Sequence, residues 1–171
     1  MRSIKALAIV LICLVLLACS NQLVTEKRGN DSVTGVSSED AEMNRIIKEA
    51  RETVDLFISE LNNPNTKGSN FLVKYPFDTD LGSKFDKEHI WLSDIELIDN
   101  EYYGIVANDP FYIKNMKIGD KVKFDIHQIS DWQYIKDEYL VGGKSIVYFY
   151  NQMSEQEKVD FEKEAGFKIK D

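Results

Sequence analysis

The chain predicts an α+β fold, with a strongly curved or barrel-like antiparallel sheet of five to six strands and a helix at each end. Three observations carry this expectation. An amphipathic helical pattern begins near residue 39, short β-rich runs separated by turn residues fill 71–150, and a capped helical pattern closes the chain. No helical pattern interrupts the β-rich runs, so neighbouring strands are expected to pair as hairpins around a single core.

Taken in order, residues 1–18 place Arg2 and Lys5 ahead of an apolar run from Ala6 to Ala18. The run falls well short of the ~20 residues that a spanning helix needs, and it reads as a signal peptide. Leu16, Leu17, Ala18 and Cys19 resemble the lipobox of bacterial lipoproteins. That resemblance implies cleavage before Cys19 and lipidation of its sulfur. Acyl chains such as palmitate would then be the membrane anchor, since two or more on one residue hold stably where one alone binds marginally. On this reading Cys13 leaves with the signal and Cys19 is thioether-linked, which excludes disulfides, thiol catalysis and cysteine metal sites.

The whole chain carries a net charge of −8, and losing Arg2 and Lys5 takes it to −10. So acidic a body is not expected to bind nucleic acid or to lie flat on anionic lipid. The expected location is the bacterial cell envelope, lipid-anchored. Ser20 stands where an aspartate usually retains lipoproteins at the inner membrane, which points to the periplasmic face of the outer membrane in a host with two membranes. In a Gram-positive host it would be the outer face of the single membrane.

Residues 19–38 are small and polar without a period of 2 or 3.6, and read as a flexible tether. The single domain is expected over 39–171. In its first helix, 39–63, Met43, Ile46, Ile47, Ala50, Val54, Phe57, Ile58 and Leu61 share one face, and Asn62-Asn63-Pro64 stops the pattern. FLVKY is the first strand of the 71–150 region, closed by Pro76. HIWL and DIEL make a longer strand whose buried parity slips near Ser93-Asp94, as at a bulge, and Asp99-Asn100 turns it into YYGIVAN. KVKFDI alternates, with Val122, Phe124 and Ile126 inward. A strand through Trp132, Tyr134 and Ile135 follows, Gly142-Gly143 breaks the chain, and SIVYFY is expected to close the sheet. Ser154 with Glu157 forms a capping box for a last helix, 154–166, ended by Gly166.

Together FLVKYPF, EHIWL, YYGIVANDP, KIGDKVKF, ISDWQYI and LVGG resemble the YegJ-like family, a bacterial domain of unknown function. The likeness runs from about Phe71 to Tyr150, and FEKEAGFKIKD is similar to the family's C-terminal helix. It implies a domain boundary and an envelope setting, and no mechanism.

Several polar residues of these pieces are candidates for chemistry. His89 is the best acid–base candidate, with Asp109, Asp120 and Asp131 as carboxylate partners. Against it, Glu88 points to the opposite face of the strand from His89 and cannot orient it, while Asp109 and Asp120 sit at turns where carboxylates bond backbone amides. No G-x-S-x-G, P-loop, dinucleotide or EF-hand pattern occurs, His89 and His127 have no metal-ligand spacing, and no cofactor or metal is expected.

Aromatic residues crowd the sheet region beyond what one core face can bury. Some are expected on an open face or rim, with Trp91, Tyr103, Asn108, Trp132 and Tyr134 as candidate binding residues. The expected function is that of a non-catalytic interaction module whose partner is an envelope or secreted protein, with an envelope hydrolase using His89 as the alternative.

Overall fold

The computed structural model describes residues 24–28, 31–35, 41–80, 82–83 and 85–170. The signal segment and Cys19 lie outside them. Two short strands, β1 (Val24–Arg28) and β2 (Asp31–Gly35), pair antiparallel within the segment that composition reads as a tether.

Helix α1 runs from Ala41 to Leu61. Its stripe of Ile46, Ala50, Val54 and Phe57 is buried, as the 3.6-residue spacing requires. It packs on a six-stranded antiparallel sheet ordered β6-β5-β4-β3-β7-β8. The strands are β3 (Gly68–Asp78), β4 (Lys87–Ile98), β5 (Glu101–Val106), β6 (Lys121–Phe124), β7 (Asp131–Lys136) and β8 (Tyr139–Gly142). Helices α2 (Lys144–Tyr150) and α3 (Glu155–Ala165) follow. Among the described residues, no helix is long and apolar enough to cross a membrane.

The α+β class stands, but the sheet is open and does not close into a barrel. Its two edge strands are short, and the outer side of β8 is occupied by the chain's own tail. Leu140 N–H donates to Lys168 O at 2.9 Å, and Lys168 N–H donates to Glu138 O at 2.8 Å. With that edge filled, β6 and β8 have no means to meet.

SIVYFY, expected as the closing strand, is helix α2. Gly143, at φ 59°, turns the chain off β8, and the buried carboxylate of Asp131 receives the first helical amides, overriding the β-propensity of the run. Pro76 does not end β3 either; the strand continues to Asp78. Its pairing with β7 stops at Lys74, so Pro76 sits where one side of β3 is already an edge and no ladder donor is lost there. Ile126 is buried as expected, though in a 3-10 turn following β6.

The long hairpin forms as the sequence indicates. Asp99 and Asn100 both have positive φ, 50° and 66°, as a two-residue hairpin turn demands. The register of β4 against β5 shifts between Ser93 and Glu96, with Asp94 at φ 48°. A similar break in β3 against β7 falls between Ser69 and Leu72, with Asn70 at φ 51°.

Strand parity sorts the sheet into two faces. Val73, Ile90, Leu92, Val106, Phe124 and Trp132 point toward α1 and join Phe57 in one apolar core. Full burial of each such side chain contributes about 1.5–3 kcal/mol. The opposite face carries Lys74, His89, Trp91, Tyr103, Lys121 and Lys123.

Candidate functional site

The family-like polar residues are mostly scaffold. Glu88 is buried, and its two carboxylate oxygens accept the backbone N–H groups of Phe111 (2.6 Å) and Tyr112 (2.8 Å), pinning the long loop after β5. Asn108 Oδ1 accepts Trp91 N–H at 2.7 Å, standing in for a ladder carbonyl as the chain leaves the sheet. Asp120 Oδ2 accepts Lys117 N–H at 2.9 Å across the turn at Gly119. Asp131 accepts from Trp132 N–H, Ser145 N–H and the Ser145 hydroxyl. Asp109 is exposed on the loop before Pro110. Glu88, Asp120 and Asp131 therefore each serve a separate backbone segment.

Of the aromatic candidates, Trp132 and Tyr134 are buried on the helix-facing side, in line with the odd–even alternation of β7. Trp132 Nε1 donates to Thr53 Oγ1 of α1 at 3.2 Å, and its ring is 5.9 Å from that of Phe57. They are core residues and not contact residues. Trp91 and Tyr103 are half-buried on the face away from α1. Each lies under a lysine: Lys74 Nζ is 5.3 Å from the Trp91 ring and Lys121 Nζ is 5.6 Å from that of Tyr103.

His89 sits on this same face. Its residue surface remains partly open, while its Nδ1 edge is held 2.8 Å from Ser130 Oγ. Crowding of the ring by neighbouring atoms, with the positive charges of Lys74, Arg51 and Lys87, pushes its pKa from 6.5 down to about 4. Arg51 is itself fixed by donating from Nε to Ile129 O at 3.0 Å. Burial likewise lowers the pKa of Lys74, opposed by the Asp131 charge.

The direction of the His89–Ser130 bond depends on the imidazole tautomer. Ser130 is buried, and its hydroxyl lies 3.1 Å from Lys74 O. When the hydroxyl donates there, its oxygen accepts from the Nδ1–H tautomer of a neutral His89. A serine nucleophile needs the reverse arrangement, with the imidazole nitrogen accepting the hydroxyl proton. The contact ties β4 to the residue before β7. Ser130 and Lys74 were not singled out from sequence, although they lie within the ISDWQYI and FLVKYPF pieces. Among the described residues, no group of three or more His, Cys, Asp or Glu side chains is placed to hold a metal ion.

The family described as "Uncharacterized protein conserved in bacteria (DUF2314)" matches residues 40–169. The chain is similar to "Uncharacterized protein YegJ" of Escherichia coli K12, at 35% identity over 114 residues, covering 67% of this chain and 70% of that protein. It is also similar to a Neisseria meningitidis serogroup B protein named "Putative ankyrin repeat protein NMB1133/NMB1171", at 29% identity over 147 residues. That match takes in 84% of this chain and 58% of the other's length. No solved structure matches.

Proposed function

This chain belongs to the DUF2314 family of proteins conserved in bacteria, and on that footing we propose that it is a lipid-anchored envelope protein acting as a non-catalytic interaction module. Cys19 is the lipidation site in this reading. The open sheet face around Trp91 and Tyr103 is the contact surface, and the partner is an envelope or secreted protein. In a host with two membranes the anchor sits in the outer one, with the domain on its periplasmic side.

The observation that supports a binding role best is the division of labour on the sheet. Glu88, Asp120 and Asp131 are engaged with backbone amides, whereas Trp91 and Tyr103 keep open surface beneath lysines. Half-exposed aromatic rings of this kind are favoured contact residues.

Two measurements test the reading. Growth with a clickable palmitate analogue should label the full chain and leave Cys19→Ser unlabelled; label on both would remove the anchor. Crosslinked envelopes should then yield a near-stoichiometric partner with the wild type, and lose it with Trp91→Ala/Tyr103→Ala. Undiminished capture by that folded variant would move the contact surface elsewhere.

A second reading, an envelope hydrolase using His89, is favoured by one observation, the 2.8 Å contact with Ser130. It requires Ser130→Ala to abolish hydrolysis of an envelope substrate. A hydrolytic activity that survives this change would leave the dyad with its structural role.

A further inference from the structure

The strands β3 and β4 pair only from Val73↔Leu92 to Asp78↔Lys87. Beyond Val73 and Leu92 they part, each through its own irregularity at Asn70 and Asp94. A cleft of about 510 Å³ opens at this fork, lined by Phe71, Leu72, Ile95, Gln133, Ile135 and Phe167 among others. Its volume falls within the ~300–1,000 Å³ typical of small-molecule sites.

One polar atom in it stands out. Gln133 is 5% exposed, and its Oε1 is buried without a hydrogen-bond partner among the described residues. The strand position of Gln133 explains why no neighbour answers it. Its backbone pairs with Leu72 and Gly142, and its side chain lies on the face opposite Trp132 and Tyr134, where neither of those cross-strand partners carries a side-chain donor. Leaving a buried amide oxygen unmet is costly, so the position needs a reason.

We propose that this cleft is a binding site for a short, uncharged peptide, toward which the Gln133 side-chain amide turns so that its Oε1, enclosed in the unliganded fold, accepts an amide N–H of the ligand. The chemistry of the lining selects that class. Phe71, Leu72, Ile95, Ile135 and Phe167 suit aliphatic or aromatic peptide side chains, beside the polar Asn70 and Ser93. Among the described residues, no lysine or arginine lines the cleft to neutralise an anion, and the one charged lining residue is Asp94, which disfavours a ligand carboxylate. A primary amide such as that of Gln133 meets a peptide group in both senses, with an acceptor and a donor side by side. The site is separate from the Trp91–Tyr103 surface and does not depend on it.

The test is an NMR titration of the full domain with N-acetyl dipeptide amides carrying leucine or phenylalanine side chains, alongside the same dipeptides with a free carboxylate. The amides should shift the Gln133 side-chain NH₂ and the backbone signals of Phe71, Ile95 and Phe167, and the free acids should bind more weakly. Gln133→Leu should weaken binding at least about tenfold while leaving the melting temperature equal or higher, because the buried amide is replaced by an apolar group of similar size. Trp91→Ala should leave these shifts intact, so failure here and failure of the contact-face reading are told apart. Absence of shifts at millimolar peptide, or equal binding of acid and amide, would overturn the proposal. A lower melting temperature in Gln133→Leu would overturn it too, by showing that the amide is already satisfied inside the fold.

Discussion

Asp131 Oδ2 receives both the backbone N–H and the hydroxyl of Ser145, at 2.8 and 2.6 Å, in a buried setting. The first residue of β7 thereby fixes the first turn of α2, 14 positions later. Oδ1 meanwhile accepts Trp132 N–H at 2.8 Å.

Removing this carboxylate should leave several buried donors unmet. Asp131→Ala is expected to destabilise the domain by about 3 kcal/mol or more, and Ser145→Ala by about 1 kcal/mol. Asp131→Asn should fall between Asp131→Ala and the wild type, since its amide oxygen can still accept. Urea unfolding followed by tryptophan fluorescence measures all three; a loss below 1 kcal/mol for Asp131→Ala would show that α2 stands without its distant cap.

His89 gives the stability a pH dependence whose sign is fixed by its lowered pKa. The unfolded chain takes up a proton near pH 6.5, whereas the folded chain resists until about pH 4. Stability contributed by the neutral ring is therefore complete above about pH 6.5 and lost as the pH falls toward 4. Its exposed surface moderates the size of the effect. Between pH 7 and 4.5 the wild type should lose more stability than His89→Asn. Parallel curves for the two would mean that the ring titrates freely. An NMR titration should show the His89 ring predominantly neutral down to about pH 5.

Gly142 is required by its neighbour. At φ 74°, an added Cβ would lie 2.3 Å from Trp132 O and 2.6 Å from the indole ring. Gly142→Ala is expected to cost roughly 2–4 kcal/mol from strain and overpacking combined. Gly119, at φ 90°, has nothing within 4 Å of such a Cβ, so Gly119→Ala should carry the strain alone, about 1–2 kcal/mol. Equal melting temperatures for the two variants would remove the packing role assigned to Trp132.

The parts of the fold legible in sequence are those whose signal is local. The helical stripe from Ile46 to Phe57, the bulge near Asp94 and the turn at Asp99-Asn100 each depend on residues within a few positions. Helix α2 was illegible because its cap arrives through space from Asp131, while SIVYFY by itself favours a strand. The aromatic candidates divided by parity. Alternation says that Trp132 and Gln133 face opposite ways, but which face meets α1 depends on the register of β7 against β3. Ser130 carried no local signal, since its hydroxyl partner, the carbonyl of Lys74, is 56 positions away.

The strand order has a consequence for how the chain is made. Central strand β3 gains β4 early, as its neighbour in sequence, but meets β7 only after the whole β4–β6 meander has been synthesised. Until then α1 lacks Trp132 and Ile129, which complete the surface under Phe57. A nascent chain that has not yet reached Lys136 thus holds an apolar helix with an unfinished floor, and loop closure of this length is slow compared with hairpin formation. Folding should wait for the last third of the chain, and fragments ending before β7 should need a chaperone's cover to avoid aggregation.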